Sequence, residues 1–162
     1  FITIDNWHIK LKSSHYVTVK ASQSVAQSAI YHGIMDGELA NAEPIETVMP
    51  CILNAIQGNF LVVHSASVDV AFLDVICRKL YGGGLKVQYI DTMALAMRRY
   101  RLENKTIPED GLRLHHLREQ YGLPPYSGHH ALSDALATAE LFLAMASHIA
   151  GNKPMPVKRL LS

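Results

Sequence analysis

The fold is decided by the stretch Phe60-Leu61-Val62-Val63-His64-Ser65-Ala66-Ser67-Val68-Asp69. Its first four residues form a continuous apolar run, which is typical of a strand buried on both faces. A helix is predicted to follow at about residues 68–80, so that Asp69 falls in the first helical turn. Asp69 is therefore expected at the carboxyl edge of the sheet, where open α/β folds place their ligand sites.

The alternation of strand and helix continues toward the C-terminus. A strand is predicted at residues 86–90, helices at residues 92–100 and 112–121, and a long helix at residues 131–150. Toward the N-terminus, residues 1–20 alternate in polarity as antiparallel strands do. Strands followed by β-α-β-α units predict an α/β fold with a mixed sheet and helices on both of its faces.

Prolines and glycines set the remaining boundaries. Pro44 suits the first turn of a short helix, and Pro50 is predicted to interrupt that helix and to open a second one, which ends at Gly58. The proline-containing tail at residues 151–162 is predicted to be a linker or extension. We therefore expect one domain at residues 1–150 and a tail after it.

Composition excludes several classes of protein. The chain has 162 residues, of which 49% are apolar and 18% charged, which excludes a mostly disordered chain. Its net charge of +1 means that any nucleic-acid site must be a local basic patch. Cys51 and Cys77 have no zinc-like spacing and predict free thiols in a reduced compartment. Without a long apolar run or a visible signal peptide, the sequence predicts a cytoplasmic protein with no membrane partner.

A second segment complements the one that ends at Asp69. It runs from His129 to Asp134, where a loop is predicted to lead into the last helix. Each segment alone has an ordinary explanation, because an acidic residue in a first helical turn is favoured by the helix dipole and this His–Asp spacing also arises by chance. The two segments, however, occur in order and share the same loop-to-helix setting.

Four short motifs together resemble one known family. Residues 31–34 match its H-G-I turn, residues 64–69 its H-N-A-x-F-D segment, residues 89–92 its D-T strand end, and residues 129–134 its H-x-A-x-x-D motif. Over about residues 1–150 the chain resembles the DEDDh 3′–5′ exonucleases, the group of the DNA polymerase III epsilon subunit and ribonuclease T. This resemblance implies a ribonuclease H-like fold with a five-stranded mixed sheet.

The resemblance also implies a mechanism, namely hydrolysis of phosphodiester bonds with two Mg²⁺ or Mn²⁺ ions roughly 3.5–4 Å apart. Asp134 corresponds to a direct ligand of one metal, Asp69 to a ligand of the other, partly through water, and His129 to the group that takes the proton of the attacking water. Both carboxylates are then expected to face one cleft, within about 8 Å of each other. The positions that correspond to substrate contacts are His32, His64, Ser65 and Val68.

The chain departs from the family pattern at three points. The first two acidic ligands of the family form a D-x-E motif on a central strand that precedes Phe1, so this strand is expected from upstream residues or from another chain. Ser65 stands where the family usually has Asn, and Val68 where it usually has Phe. Without the D-x-E motif, residues 1–162 alone are expected to be inactive.

Two hypotheses about function follow. The first is a metal-dependent 3′–5′ exonuclease that acts on nucleic acid with a free 3′ end, with a DNA polymerase or a second copy of the chain as its protein partner. The second is a catalytically inactive relative that binds nucleic acid or a polymerase. Neither DNA nor RNA is favoured as substrate.

Other polar residues have simpler interpretations. Asp91 is expected to cap a helix rather than to bind a metal. His130 lacks the five-residue offset to Asp134 that His129 has. The cluster at residues 98–101, Arg-Arg-Tyr-Arg, is either a solvated face or an edge that contacts phosphate.

Overall fold

The computed structural model describes residues 1–20, 42–128, 130–151, 153 and 155–161. His32 and His129 lie outside this described part of the chain. The elements, in chain order, are β1 (Thr3–Asp5), β2 (His8–Lys10), α1 (Ile45–Ile56), β3 (Phe60–Val63), α2 (Ala66–Tyr81), β4 (Gln88–Asp91), α3 (Thr92–Leu102), α4 (Leu114–Gln120) and α5 (Ala131–Ala150). The described residues thus form an α/β protein, as the sequence predicts.

The N-terminal strands form a tight antiparallel hairpin in which Ile4 pairs with Ile9. Asn6 and Trp7 both have positive φ, 49° and 63°, which is the geometry of a two-residue hairpin turn whose twist matches that of the strands. A positive φ is costly for Trp7, but its ring stacks on Phe142 of α5 with the ring centroids 6.0 Å apart. This contact docks the hairpin against the last helix.

The second sheet is parallel and pairs β3 with β4, from Phe60 opposite Gln88 to Val63 opposite Asp91. The prediction that β3 is buried on both faces is wrong for most of the strand, since Val63 is buried while the three residues before it are half-buried. The physical reason is that, within the described residues, β3 is hydrogen-bonded to a neighbour along one edge alone.

The described part of the chain contains four strands in two separate pairs rather than one five-stranded sheet. Residues 16–19 belong to the range 1–20 that is predicted to form antiparallel strands, but in the described structure they contribute a single parallel bridge between Val19 and Glu43. Tyr16 and Val17 are both exposed, so neither face of this segment gains burial from an extended pairing.

Pro50 does not end a helix, contrary to the prediction. It lies on the exposed side of α1, which runs unbroken from Ile45 to Ile56. Val48 and Met49 are buried on the opposite side, so packing of this apolar face outweighs the one backbone hydrogen bond that proline cannot donate. Beyond the helix, Gly58 has φ +73° and ends the element as expected.

The core lies among α3, α4, α5 and β4. Its fully buried side chains include Ile90, Leu117, Leu141 and Met145. Leu160, in the short 3₁₀ helix Val157–Leu160, is 1% exposed and belongs to the same cluster, so part of the C-terminal tail packs on the domain. Among the described residues, no helix has the length and hydropathy to cross a membrane.

Candidate active site

The junction between β3 and α2 is built around the carboxylate of Asp91. Its two oxygens accept hydrogen bonds from the backbone N–H groups of Ser65 at 3.0 Å and Ala66 at 2.8 Å. The same carboxylate accepts the backbone N–H of Met93 at 2.9 Å and so caps α3. One side chain therefore accepts hydrogen bonds from the free backbone N–H groups at the starts of two helices. The prediction that Asp91 is a helix cap is confirmed.

Ser65 has a left-handed backbone with φ 75°, which is uncommon for a residue other than glycine or asparagine. This conformation turns the chain sharply from β3 into α2 and points two successive N–H groups at Asp91. The hydroxyl of Ser65 lies 3.1 Å from that of Ser67. The family preference for Asn at this position thus matches the backbone geometry, because Asn tolerates positive φ.

His64 is held by a chain of hydrogen bonds. The Thr92 hydroxyl donates to the carbonyl of Val63 at 3.2 Å, and therefore it accepts a hydrogen bond from Nδ1 of His64 at 2.8 Å. Nε2 of His64 is buried and has no partner of good geometry among the described residues. Desolvation lowers the pKa of His64, although the charge of Asp91 and the nearby carbonyl of Leu112 act in the opposite direction. His64 is consequently a neutral imidazole at neutral pH.

Asp69 lies in the first turn of α2, as predicted. Partial desolvation raises the pKa of its carboxyl, and the negative charge of Asp91 raises it further. Because the residue as a whole is exposed, solvent screens this effect. A cation bound beside Asp69 would relieve the repulsion between the two carboxylates. The neighbouring Val68 is 63% exposed and available for contact with a ligand.

Asp134 lies in the first turn of α5, also as predicted, and its backbone N–H bonds to the carbonyl of His130. Its carboxylate interacts with the phenol of Tyr126. Desolvation raises the pKa of Tyr126, and the interaction with Asp134 raises it further. The phenol thus stays protonated across the physiological pH range.

Asp69 and Asp134 have different immediate neighbours. The charge that acts on Asp69 is that of Asp91, whereas Asp134 interacts with Tyr126. Their proximity within one cleft stays a prediction, and so do the roles of His129 and His32. Within the described residues, no three or more histidine, cysteine or acidic side chains gather as a metal cluster.

The donor chemistry nevertheless suits a hard divalent cation. Mg²⁺ in nucleotide-processing sites is typically held by one or two carboxylates, with water and substrate phosphate oxygens completing its coordination. Asp69 and Asp134 supply carboxylates of this kind, both at the start of a helix.

Two cavities differ in their relevance to this chemistry. A cleft of about 650 Å³ lies between α2 and α3 and includes Ser65 and Asp91 in its lining. A larger one of about 770 Å³ lies at the opposite edge of the sheet, where Phe60 and Gln88 begin their strands. The larger cavity contains none of the predicted site residues. The candidate site is therefore identified by the side chains that line the smaller cleft and not by the volume of the cavity.

Sequence reasoning missed Arg118 and Tyr126. Arg118 is buried and bonds to α5 and to the loop after α4, and its guanidinium lies over the ring of Tyr126. The only local signal is an arginine next to Leu117 on the apolar side of a short helix. The basic cluster at residues 98–101 does not act as one surface. Arg99 packs between Tyr100 and Tyr121 and therefore has a structural role.

Comparisons with known proteins agree with this architecture. Residues 2–142 match the RNase T family of exonucleases. The DNA polymerase III PolC-type protein of Thermotoga maritima is 32% identical over 140 residues, which is 86% of this chain and 9% of that protein. The DNA polymerase III subunit epsilon of Treponema pallidum is 32% identical over 124 residues, 75% of this chain and 54% of the subunit. The chain therefore spans only part of the length of these relatives.

Solved structures show the same fold. Exonuclease X in complex with 5′ overhanging duplex DNA superposes with a TM-score of 0.63 at 22% identity, covering 98% of this chain and 84% of that chain. Cell-death related nuclease 4 superposes with a TM-score of 0.68 at 18% identity, covering 87% and 52%. The ribonuclease H-like fold and the resemblance to DEDDh exonucleases are thereby confirmed. With residues 2–142 matched, the chain belongs to the RNase T family of exonucleases.

Proposed function

We propose that this chain is the nuclease domain of a metal-dependent 3′–5′ exonuclease, with residues 1–150 as the domain and residues 151–162 as an extension packed on it. The observation that carries the proposal is Asp134, a half-buried carboxylate in the first turn of α5 that interacts with the phenol of Tyr126. It follows His129 in the H-x-A-x-x-D spacing of the matched family.

In this mechanism Asp134 and Asp69 would hold two Mg²⁺ or Mn²⁺ ions. When bound, the ions supply Lewis-acid stabilisation of the scissile phosphate and lower the pKa of the attacking water. His129 accepts a proton from that water as it attacks phosphorus, and the bond from phosphorus to the 3′ oxygen breaks. The products are a 5′-mononucleotide and a strand with a new 3′ hydroxyl.

The proposed substrate is nucleic acid with a free 3′ end, which His32, His64, Ser65 and Val68 would contact. Neutral His64 adds no charge to the site, and Val68 offers an apolar surface to a terminal sugar or base. The polymerase III relatives support a DNA polymerase as protein partner and the cytoplasm as location.

A nuclease assay on the complete gene product tests the proposal. Single-stranded DNA and RNA labelled at the 5′ end should shorten stepwise from the 3′ end when Mg²⁺ or Mn²⁺ is present, and should stay intact in EDTA. Asp134→Ala should abolish activity because it removes a metal ligand. His129→Ala should slow the chemical step by roughly 10²–10⁴-fold, whereas its neighbour His130→Ala should retain activity.

An inactive relative would give a different result. If the protein binds nucleic acid but releases no mononucleotide with any divalent metal, the binding-module hypothesis replaces the exonuclease.

A further inference from the structure

The guanidinium of Arg118 is a buried charge that joins three segments of the chain. The residue is 2% exposed and lies on α4. Its Nη1 donates to the carbonyl of Ala137 at 2.8 Å and lies 2.7 Å from Oε2 of Glu140, both on α5. Its Nη2 donates at 2.9 Å to the carbonyl of Pro124, in the loop that connects the two helices.

Tyr126 extends this connection to the candidate site. The guanidinium carbon of Arg118 lies 5.1 Å from the centre of the Tyr126 ring, within the range of a cation–π contact. The phenol of the same ring lies near enough to Asp134 for the charge of that carboxylate to raise its pKa. Arg118 thus supports a tyrosine that interacts with the candidate metal ligand.

The same contacts limit where the loop can go. His129 follows Tyr126 by three positions in the sequence. The contacts at Pro124 and Tyr126 therefore hold the described part of the loop that leads to it. A general base needs such support, because its nitrogen must come within hydrogen-bonding distance of the attacking water.

The stability of the fold does not require an arginine at position 118. Burying a guanidinium carries a large desolvation cost, and apolar side chains of similar volume often replace buried ion pairs without loss of stability. In addition, Nε of Arg118 is buried without a hydrogen-bond partner among the described residues. What an apolar side chain cannot reproduce is the pair of directional bonds to α5 and to the carbonyl of Pro124.

We propose that Arg118 is a positioning residue of the nuclease site, which anchors the loop before His129 and, through Tyr126, the carboxylate of Asp134. The inference rests on the proposed exonuclease function for its catalytic part. The anchoring of the loop itself is independent of that function.

Four variants of the complete protein test this role. Arg118→Met removes the directional hydrogen bonds. Arg118→Lys keeps the positive charge but lacks the two Nη donors of the guanidinium. Tyr126→Phe keeps the ring but removes the hydroxyl. Arg113→Met is the matched control, because Arg113 also lies at α4 and pairs with a carboxylate, that of Asp110, but on the surface. The measurements are amide hydrogen exchange of residues 123–128 without metal, thermal stability, kcat and KM, and the Mn²⁺ concentration that gives half-maximal rate.

Arg118→Met should speed exchange at Leu123, Tyr126, Ser127 and Gly128 by roughly 10–100-fold, the effect of losing a hydrogen bond to a charged group. It should lower kcat at least tenfold with KM nearly unchanged, and Arg118→Lys should recover part of the loss. Tyr126→Phe should leave thermal stability unchanged and raise the half-saturating Mn²⁺ concentration roughly tenfold, as loss of a bond to a metal ligand typically does. Arg113→Met should match the wild type throughout.

Unchanged exchange in Arg118→Met would overturn the anchoring, and unchanged kcat in a folded Arg118→Met would overturn the positioning role. If Arg118→Met does not fold, Tyr126→Phe decides, since wild-type kcat and Mn²⁺ dependence in that variant refute the link to Asp134. A wild-type protein without nuclease activity would refute the proposed function, and the exchange comparison would still test the anchor.

Discussion

Replacing Asp91 by alanine tests whether one carboxylate supports the starts of two helices. The change removes three acceptor contacts, to the N–H groups of Ser65, Ala66 and Met93 at 2.8–3.0 Å. Loss of a helix cap costs about 1 kcal/mol. Each N–H left without a partner adds roughly 1 kcal/mol, the lower end of the usual range because the contacts are only partly buried. The expected loss in the free energy of unfolding is therefore about 3 kcal/mol.

For a domain of this size, that loss lowers the Tm by about 6–12 °C. Urea unfolding followed by circular dichroism measures it directly. Asp91→Asn should lose about half as much, since the amide oxygen still accepts while the charge is gone. Asp5→Ala is the control, because Asp5 and its partner Lys10 are both exposed and surface ion pairs contribute at most about 1 kcal/mol.

Two results would refute this reasoning. If Asp91→Ala is no less stable than Asp5→Ala, the carboxylate does not stabilise the two helices. If Asp91→Asn keeps its stability but loses binding of Mn²⁺, measured by calorimetric titration, then Asp91 is a metal ligand rather than a cap.

Two further predictions concern the residues that precede α2. Ser65→Asn should raise the free energy of unfolding by about 0.5 kcal/mol in urea titration, and Ser65→Val should lower it by about 1–2 kcal/mol, because Asn tolerates positive φ and a β-branched side chain does not. The lowered pKa of His64 means that the unfolded chain binds its proton more readily, so stability should fall as the pH drops below about 6.5, the unperturbed value. The Tm of His64→Asn should decline less than that of the wild type between pH 7.5 and pH 5.5. An equal decline would show that His64 is not the group responsible for the loss of stability.

The elements that the sequence predicts well are those with a strong local pattern. Phe60–Val63 forms a strand with the predicted bounds because an apolar run follows the turn at Gly58. Ala131–Ala150 forms the predicted long helix, which Gly151 ends. The prediction that Pro50 ends a helix is wrong because the loss of one backbone hydrogen bond at proline is a local cost. The burial of Val48 and Met49 that outweighs this cost depends on the tertiary fold.

In the candidate site, too, the residues with a local sequence signal were predictable, and those whose role depends on distant contacts were not. Asp69 and Asp134 were placed correctly in first helical turns, since helix starts carry recognisable signals. The motif resemblance also identifies Ser65 as a departure from the family pattern, but its physical meaning, a left-handed turn, is visible only in the structure. Arg118 escaped prediction because its partner Glu140 is 22 residues away in the sequence and lies on another helix.

Ser65 and Arg118 both break a local rule of protein structure, and each is joined to a helix that carries a predicted catalytic carboxylate. A non-glycine residue with positive φ begins the helix of Asp69, and a buried arginine supports the loop that leads to Asp134. Natural chains tolerate such exceptions mainly where geometry is needed more than stability. In each case the exception has a specific carboxylate partner, Asp91 for the backbone at Ser65 and Glu140 for Arg118. These acidic residues are therefore best understood as supports, whose loss should disturb the site through its geometry rather than through its metal ligands.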